Sequence, residues 1–514
     1  MNPLLLTDGY KTGHHQQYPG GTTLVYSNFT PRSNKYGPKG CDKVVSFGQQ
    51  MVMQQLHEVF QRDFFSRPKD QVCGEMKQEL SMYLGIDYDV SHFEALHDLG
   101  YLPIAVQALS EGTLVPIKVP VLTIYNTHPD FYWLTNYLET ILSNLMWKPM
   151  TSATIAHQYR KVLTKWMEKT DKENAWFIDW QGHDFSMRGM DSAEAVISSG
   201  LGHLTSFSGT DSLPAIHGAR KYYGAEGFVA GSVPATEHSV MCAGGKEDEE
   251  STFRRLLETY PKGILSVVSD TWDLWRVCTK HVVALKEEIL ARDGKLVIRP
   301  DSGDPVEILC GHSIVDHKDG LVTARGSNSN WIKSFDVNSS EIEEYRKTPE
   351  CKGVIELLWD VFGGTVNEQG YKVLDPHIGA IYGDSITIER ADEICKRLEA
   401  KGFASTNVVL GIGSFTYQFN TRDTFGFAMK ATYCEINGRG QEIFKDPITD
   451  DGTKKSATGL LCVTRDEYKG EYMLTDRVDW ATALSGDLKT IYRDGSFENT
   501  TTLSQIRENL KKVL

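Results

Sequence analysis

Short apolar runs alternate with longer amphipathic stretches through the middle of the chain, and polar residues follow each run. Amphipathic stretches at helical spacing, such as 273–292 and 387–401, lie between the runs. Buried parallel strands appear as short apolar runs separated by crossover helices. The pattern predicts an α/β fold, either a (β/α) barrel with its site in the loops after the strands or a doubly wound open sheet. The predicted strands are Trp176–Trp180, Leu204–Phe207, Phe228–Ala230, Ile264–Val268, Leu296–Ile298, Ile378–Tyr382 and Val408–Leu410.

The first third of the chain mixes both periodicities. Alternation predicts a strand over 24–29, and apolar residues predict strands over 102–109 and 112–122. Helical spacing predicts helices over 46–64, 74–84, 132–147 and 153–168, with Pro149 separating the last two.

Composition narrows the class of protein. The chain has 514 residues, enough for two or three domains, and a formal net charge of −14, which argues against a general nucleic-acid binder. Its nine cysteines form no CxxC pair, so we expect reduced thiols rather than a zinc or disulfide framework. No apolar run approaches the 18 or so residues of a membrane span. We therefore expect a cytoplasmic protein with neither nucleic-acid nor membrane partners.

The residues that follow the predicted strands share one chemical character. Carboxylates suit ribose hydroxyls and Mg²⁺, whereas guanidinium groups and exposed glycine amides suit phosphate. Any one of these groups could be structural, but their recurrence at successive strand ends indicates a site for a phosphorylated sugar. The groups are Asp184, Asp211, Asp270, Asp301, Asp384, Arg188, Arg299, Gly411 and Gly413.

The stretch Gly231–Val240 places an acid beside a histidine directly after an apolar run. A neighbouring carboxylate biases the proton affinity and the tautomer of an imidazole. Glu237 beside His238 is therefore a candidate catalytic pair.

Several motifs in the same order resemble the nicotinamide phosphoribosyltransferases, which are type II phosphoribosyltransferases related to the nicotinate enzymes. The resemblance covers nearly the whole chain and is specific because the motifs occur together. They are Asp8-x-Tyr10-Lys11, His183-Asp184-Phe185-x-x-Arg188, Gly209-Thr210-Asp211, Ser232-Val233-Pro234-Ala235-x-Glu237-His238-Ser239, Ser266-Val267-Val268-Ser269-Asp270, Ile298-Arg299-Pro300-Asp301-Ser302-Gly303, Thr421-Arg422-Asp423 and Phe444-Lys445-Asp446-Pro447.

The resemblance implies an irregular α/β barrel with a second, mainly β domain formed from both chain ends. The β-rich domain, with helices, would span 1–175 and 425–514 and contribute to the interface of a homodimer. The barrel would span 176–424, with an insertion at about 311–353. The sites would be shared between the two subunits.

The resemblance also implies roles for particular residues. Tyr10 of one subunit and Phe185 of the other would sandwich a nicotinamide ring, while Asp211 and Arg299 would contact its carboxamide and Ser266 would join the pocket. Asp8, His183, Glu237 and Asp270 would support these groups. Asp301 and Asp384 would hold ribose hydroxyls. Arg299 would also be one of the catalytic residues. The remaining residues would bind phosphate and pyrophosphate: Arg32, Arg188, Gly413, Ser414, Arg422, Lys430 and Lys445.

The implied reaction joins nicotinamide to 5-phosphoribosyl 1-pyrophosphate, forming nicotinamide mononucleotide and pyrophosphate in NAD salvage. Mg²⁺ would be held mainly by the substrate pyrophosphate. His238 would take a phosphoryl group from ATP, which would stimulate the reaction.

Two other functions stay open. A nicotinate phosphoribosyltransferase would share the phosphate and ribose groups but would not need Asp211, which could instead cap the following helix. A barrel that binds the nucleotide without turnover is the other possibility, although the presence together of His238, Asp301, Asp384 and Arg299 argues against it.

Two features depart from the family pattern. Ser414 stands where a further glycine is expected in the phosphate turn. The insertion is polar and could be a lid, a dimer embellishment or a surface loop, and Cys310 and Cys351 flank it.

Overall fold

The computed structural model describes residues 1–317, 320–327, 330–383, 385–445 and 457–514. Contacts divide the chain into two compact units. The β-rich unit comprises Met1–Ile155, His217–Glu226 and Asn420–Val513, and the barrel unit comprises Ala156–Ile216 and Gly227–Phe419. The first division therefore falls between 155 and 156, within a long helix, whereas the predicted boundary lies between 175 and 176.

The strands alternate with helices in both units. The strands are β1 Thr22–Thr30, β2 Lys43–Ser46, β3 Ile104–Ala108, β4 Thr113–Pro116, β5 Leu122–Asn126, β6 Gly182–Asp184, β7 Gly209–Thr210, β8 Lys262–Val268, β9 Asp293–Arg299, β10 Ser313–Asp316, β11 Leu321–Arg325, β12 Trp331–Asp336, β13 Gly364–Val366, β14 Lys372–Leu374, β15 Ile378–Tyr382, β16 Val408–Ile412, β17 Ala428–Ile436, β18 Arg439–Glu442, β19 Leu460–Arg465, β20 Tyr472–Val478, β21 Lys489–Arg493 and β22 Ser496–Phe497.

The α-helices range from single turns to one of 39 residues. They are α1 His14–Gln17, α2 Gln49–Phe60, α3 Lys69–Leu84, α4 Ser91–Leu99, α5 Tyr132–Thr170, α6 Ile178–Gln181, α7 Ala193–Leu204, α8 Leu213–Tyr223, α9 His238–Gly244, α10 Glu249–Thr259, α11 Leu274–Arg276, α12 Val282–Ala284, α13 Lys286–Leu290, α14 Pro305–Cys310, α15 Ser340–Arg346, α16 Pro349–Lys352, α17 Val354–Phe362, α18 Ile388–Ala400, α19 Ser414–Gln418, α20 Trp480–Ser485 and α21 Leu503–Lys511.

An antiparallel sheet organises the β-rich unit. Among the described residues it has seven strands in the order β18-β17-β1-β5-β3-β21-β22. β1 from the start of the chain pairs with β17 from its end, with Val25 opposite Cys434. The prediction of a mainly β domain formed from both chain ends is confirmed.

A parallel sheet forms the core of the barrel unit. Its six described strands follow the order β7-β6-β16-β15-β9-β8. Isolated parallel bridges join Gly209 of β7 to Gly231 and Ser266 of β8 to Ala235, so the segment 231–235 lies between the two edge strands. The prediction of an irregular barrel is confirmed, and the open doubly wound sheet is excluded.

Four of the predicted barrel strands are found, at β8, β9, β15 and β16. The other three predictions were wrong by a few residues. Residues 176–180 form 3-10 and α-helical turns, 204–207 end a helix, and 228–230 are irregular, while β6 and β7 begin just after the first two. These strands are only two or three residues long, Gly-His-Asp in β6 and Gly-Thr in β7, so their pattern carries no apolar signal.

Two helix predictions also need correction. α5 continues through Pro149, where a break was expected. Proline removes one backbone hydrogen bond, but the fully buried Met146 and Met150 beside it show that packing holds this part of the helix. The single helix predicted over 273–292 is instead divided by a π-helical turn at Val277–His281.

The cysteines and the lengths of the helices bear on two of the expectations from the sequence. All nine cysteines are thiols outside any disulfide bond, and Cys242 is the exposed one. Among the described residues, every helix is either too short or too polar to cross a lipid bilayer.

Candidate active site

Three neighbouring strands bring the first site residues together. His183 of β6 lies beside Gly411 of β16 on one side and Gly209 of β7 on the other. Phe185 follows β6 directly, and its backbone N–H donates to the carbonyl of Ile412 at 3.0 Å. Because the strands are parallel, the residues that follow them gather at one edge of the sheet.

Phe185, His183 and Arg299 lie side by side at this edge, and we call this group the candidate pocket. The ring centroids of His183 and Phe185 lie 4.5 Å apart. The Arg299 guanidinium carbon lies 5.5 Å from the centroid of the Phe185 ring. Gly411 permits this arrangement, because a Cβ atom there would lie 2.9 Å from Cδ2 of Phe185. A planar ligand could stack on these surfaces.

Asp211 forms a hydrogen-bonded pair with His183 in the same pocket. His183 Nε2 lies 3.0 Å from Asp211 Oδ1, and the backbone N–H of Asp211 donates to the carbonyl of Asp184. Partial burial acts to raise the pKa of Asp211, but hydrogen bonds from His183 and Ser232 outweigh it and hold that pKa below its ordinary value. Asp211 is therefore an ionised acceptor.

His238, Asp270 and Asp301 form a second cluster at the ends of β8 and β9. His238 Nε2 lies 3.1 Å from Asp301 Oδ1 and 4.0 Å from Asp270 Oδ1, and Nδ1 lies 3.1 Å from Thr271 Oγ1. One ligand atom from each of the three named residues lies within 4.8 Å of the others. Two carboxylates and an imidazole could together hold a divalent cation.

Asp270 also fixes the loop that carries Asp301. Its Oδ2 accepts from the backbone N–H groups of Asp301 and Ser302, at 2.9 and 2.8 Å, and from the Ser302 hydroxyl. Arg299 lies between this cluster and the pocket: its Nη1 donates to the carbonyl of Thr236 at 3.1 Å, and its Nη2 lies 3.7 Å from Asp301 Oδ2.

The predicted contact between the Glu237 carboxylate and His238 is not found: the ring nitrogens of His238 face Thr271 and Asp301. Glu237 precedes α9 and accepts a hydrogen bond from the hydroxyl of Ser239. Adjacent residues at a helix start point in different directions, so the acidic neighbours of His238 come instead from Asp301 and Asp270, which are distant in sequence.

Arg188 and Ser414 belong to segments that lie side by side. Arg188 is exposed in a 3-10 turn over Met187–Gly189, and the backbone of Gly189 packs directly against the side chain of Ser414. Ser414 begins α19, and Gly413 precedes it in extended conformation.

Several buried polar atoms of the barrel unit lack a hydrogen-bond partner within the described part of the chain. Those at the ends of β8 and β9 include the hydroxyl of Ser266, Oδ1 of Asp270 and Nε of Arg299, whereas others, such as atoms of Ser206, Glu249 and Arg292, lie elsewhere in the unit. Buried polar groups normally have a partner from protein or water. The unpartnered atoms of Ser266, Asp270 and Arg299 could therefore bond a polar ligand at this edge of the sheet.

The predicted phosphate-binding cations of the β-rich unit also cluster. Burial is the largest influence on Lys430 and lowers its pKa, and the charges of Arg32, Lys445 and Lys11 lower it further. Glu139 opposes this effect, with Oε1 3.8 Å from Lys430 Nζ. Such a concentration of positive charge suits a phosphate or pyrophosphate group.

Arg422 extends this cationic cluster. Burial lowers the pKa of Arg32, and the charge of Arg422 lowers it further. Arg32 is held by its Nε, which donates to the carbonyl of Gly426 at 2.9 Å. Arg422 is itself paired with Asp423 at 3.2 Å.

Tyr10 projects from a firmly anchored segment of the same unit. Its side chain is 67% exposed. The buried Lys11 donates through Nζ to the carbonyl of Asn136 and to Glu139 Oε2, both at 3.0 Å. Asp8 accepts from the hydroxyl of Thr140 at 2.8 Å. The segment therefore presents an exposed aromatic ring on a fixed base.

Sequence reasoning missed Thr271, Ser302 and Glu139. Thr271 and Ser302 each follow a predicted site aspartate directly, which is a signal that could have identified them. Glu139 occupies an ordinary polar position of α5, so nothing in its local sequence marks it. Asp384 lies outside the described residues, as do Asp446 and Pro447 of the last motif.

The parallel barrel, with carboxylates, a guanidinium group and a histidine at one edge, has the architecture of the type II phosphoribosyltransferases. Two solved structures share this fold: a nicotinate-nucleotide pyrophosphorylase from Pyrococcus furiosus (TM-score 0.54, 15% identity, 99% of this chain and 95% of the other) and human nicotinic acid phosphoribosyltransferase (TM-score 0.53, 15% identity, 98% and 93%). The model of the nicotinate phosphoribosyltransferase (NAPRTase) family matches residues 180–511. The chain belongs to this family.

Further matches cover the rest of the chain. A model of the nicotinamide phosphoribosyltransferase N-terminal domain matches residues 2–105. A protein of Acinetobacter baylyi named nicotinamide phosphoribosyltransferase is 48% identical over 528 aligned residues, which cover 100% of this chain and 98% of the relative. A protein of Xanthomonas campestris with the same name is 32% identical, covering 98% and 97%.

Proposed function

We propose that this protein transfers the phosphoribosyl group of 5-phosphoribosyl 1-pyrophosphate to the ring nitrogen of nicotinamide. The products are nicotinamide mononucleotide and pyrophosphate, which makes the reaction a step of NAD salvage. The names of the full-length relatives support this assignment.

The ionised Asp211, paired with His183, is the observation that carries the choice of substrate. A carboxylate accepts a hydrogen bond from the N–H of a carboxamide, and it repels the carboxylate of nicotinate at a cost of several kcal/mol. The low pKa of Asp211 favours the ionised form that this discrimination needs. The unpartnered hydroxyl of Ser266 would also bond the carboxamide.

The reaction forms a bond between the ring nitrogen and the anomeric carbon while the bond from that carbon to the pyrophosphate oxygen breaks. A neutral pyridine nitrogen already carries the lone pair, so no general base is required. The protein would hold the two reactants in line and stabilise the positive charge that develops on the sugar, through Asp301 and Asp384 at the ribose.

The cationic residues Arg32, Arg422, Lys430 and Lys445 would bind the 5-phosphate and the pyrophosphate, together with Arg188 and the Gly413–Ser414 turn. Tyr10 would stack on the face of nicotinamide opposite Phe185. We propose that these residues of the β-rich unit act in the site of the partner in a homodimer. The exposure of Tyr10 supports this arrangement, because an aromatic ring on a rigid base suits an interface.

Bound Mg²⁺ would neutralise part of the charge on the departing pyrophosphate. Asp270 and Asp301 are the described residues whose oxygens suit such an ion, and the unpartnered Oδ1 of Asp270 supports that role. His238 would accept the γ-phosphoryl group of ATP on a ring nitrogen, with release of ADP. The added negative charge beside Asp270 and Asp301 would tune pyrophosphate binding and release.

The test is formation of nicotinamide mononucleotide from nicotinamide, phosphoribosyl pyrophosphate and Mg²⁺, with and without ATP, beside a parallel reaction with nicotinate. We expect product from nicotinamide, and more of it with ATP. Product mainly from nicotinate would overturn the role of Asp211 and leave the phosphate site standing. No product from either substrate would favour a barrel that binds the nucleotide without turnover.

A further inference from the structure

Residues 311–353, which we call the inserted module, fold on a small core of their own. In their described part, β10, β11 and β12 form an antiparallel sheet. Val322, Ala324 and Phe335 from this sheet pack with Ile342 of α15. The module is therefore a folded element rather than an irregular surface loop.

The two ends of the module meet at one point of the barrel unit. A Cβ atom on Gly311 would lie 2.2 Å from the carbonyl oxygen of Cys351, and a Cβ atom on Gly353 would lie 2.3 Å from the nitrogen of Gly311. Lys401, which directly follows α18, donates to the carbonyls of Cys351 and Lys352, at 3.0 and 2.8 Å. The first and last residues of the module therefore lie in direct contact with each other, and Lys401 holds the last ones to the barrel unit.

A second contact joins the module to the loop and helix that follow β9. After β11, the hydroxyl of Ser327 donates to Asp304 Oδ2 at 2.7 Å, and its backbone N–H donates to Glu307 Oε1 at 2.8 Å. Arg397 of α18 donates to the carbonyl of Gly326 at 2.8 Å. Ser327 is 5% exposed, so water competes little for these bonds.

Asp304 ends the loop that carries Asp301 and Ser302. Its other oxygen, Oδ1, accepts from the N–H of Val306 at 2.9 Å and so caps α14. The loop is thus held at Asp270 through the N–H groups of Asp301 and Ser302, and at its far end through Asp304. Of the two bonds at Asp304, the one from Oδ1 to α14 lies within the barrel unit, and only the one from Ser327 to Oδ2 depends on the module.

We propose that the inserted module braces the 301–304 loop and that Ser327 is a positioning residue for Asp301. The proposal rests on the proposed function where it concerns catalysis, since Asp301 is there assigned to the ribose and to His238. The part of the proposal that concerns bracing of the 301–304 loop does not depend on the proposed function. The sequence left three roles open for the module: a lid, a dimer embellishment or a surface loop. We propose a brace in place of all three.

The test compares Ser327→Ala with Ser334→Ala, a matched change in β12 of the same module. Ser334 accepts from the indole N–H of Trp331 at 3.2 Å at the surface. We expect Ser327→Ala to raise the KM for phosphoribosyl pyrophosphate about five- to tenfold, because one bond to a carboxylate is lost, with a smaller change in kcat. Ser334→Ala should leave both values unchanged.

Hydrogen exchange of the peptide covering 299–304 supplies a readout that needs no reaction. Protection of the Asp301 and Ser302 amides should fall in Ser327→Ala and stay at the wild-type level in Ser334→Ala. Asp304→Ala should have the larger effect, and Ser327→Ala should add nothing to it in the double variant.

Unchanged protection in Ser327→Ala would overturn the brace, as would equal effects of the two serine variants. Loss of protection with unchanged KM would leave the brace but refute Ser327 as a positioning residue. A wild-type protein that makes no nucleotide would refute the proposed function instead, and the exchange comparison would still decide the brace.

Discussion

At the scale of single residues, one ionised carboxylate would separate two very similar substrates. Nicotinamide and nicotinate differ in the group that faces Asp211. The His183–Asp211 pair, with Nε2 and Oδ1 3.0 Å apart, keeps that carboxylate charged and oriented. Discrimination by charge is stronger than discrimination by shape between groups of equal size.

Asp211→Asn should weaken this discrimination. An amide offers both a donor and an acceptor and carries no charge, so nicotinate loses its repulsion while nicotinamide loses a charged acceptor. We expect the ratio of kcat/KM for nicotinamide to that for nicotinate to fall at least about tenfold. Asp293→Asn is the control, because Asp293 is exposed at the opposite end of β9. An unchanged ratio in Asp211→Asn would remove Asp211 from ring recognition.

His238→Ala tests the role of the phosphorylated histidine. The ring nitrogens contact Asp301 and Thr271 and none of the residues of the nicotinamide pocket that we describe, so basal transfer should persist. The stimulation by ATP should disappear, and mass spectrometry should no longer detect a phosphoryl group after incubation with ATP. His377→Ala, at the amino end of β15, is the control. Full stimulation in His238→Ala would refute the proposal.

At the scale of elements, α2 depends on a residue from elsewhere in the chain. No side chain of its own N-cap bonds the helix start, and the buried Glu111 supplies the acceptor: its Oε1 accepts from the N–H of Gln50 at 2.8 Å. Burial raises the pKa of Glu111 to about 7, although the hydrogen bond from Gln50 opposes this shift. We therefore expect the stability of α2 to depend on pH.

Glu111 should make the protein less stable as pH rises. Its pKa is about 7 in the folded chain against 4.5 as the ordinary value, so the folded state binds the proton more tightly. The stabilisation is complete below pH 4.5 and is lost as pH rises through 7, by up to about 3 kcal/mol in the free energy of unfolding. Calorimetry should show a Tm that falls from pH 5 to pH 8, and less so in Glu111→Gln.

The exposed Glu94→Gln serves as the control for this measurement and should keep the wild-type pH dependence. Equal slopes in Glu111→Gln and in the wild type would show that Glu111 does not titrate in this range.

The element scale also shows where sequence patterns succeed. β8, β9, β15 and β16 were predicted because each is a buried run of apolar residues between helices. The predictions for β6 and β7 were displaced by a few residues because these short strands, Gly-His-Asp and Gly-Thr, are held by neighbouring strands and not by their own propensity. α5 continues through Pro149 because the packing of its buried neighbours outweighs the loss of one backbone hydrogen bond.

At the scale of the whole molecule, the proposed site residues fall into two groups. Phe185, Asp211 and His238 belong to the barrel unit, whereas Tyr10 and Lys430 belong to the β-rich unit. In a homodimer with shared sites, each site would take one group from each subunit. Complementation between variants can test this directly.

Tyr10→Ala and Phe185→Ala should each inactivate the protein, and mixing them should restore activity. After random exchange of subunits, half of the dimers are mixed, and each mixed dimer has one intact site if the two residues come from different subunits. We therefore expect about a quarter of wild-type activity. As the control, two different substitutions of Phe185 are mixed in the same way. No recovery after verified exchange would show that both residues act within one subunit.

The sequence by itself determined the class of fold, the family and most of the candidate chemistry, because motifs such as His183-Asp184-Phe185 and Arg299-Pro300-Asp301 are contiguous and local. Only the tertiary structure decided which groups meet. His238 contacts Asp301 and not Glu237, Glu139 joins Lys11 to Lys430, and Ser327 reaches Asp304. These contacts join residues far apart in the chain, and their geometry follows from strand register and loop packing, which no local pattern records.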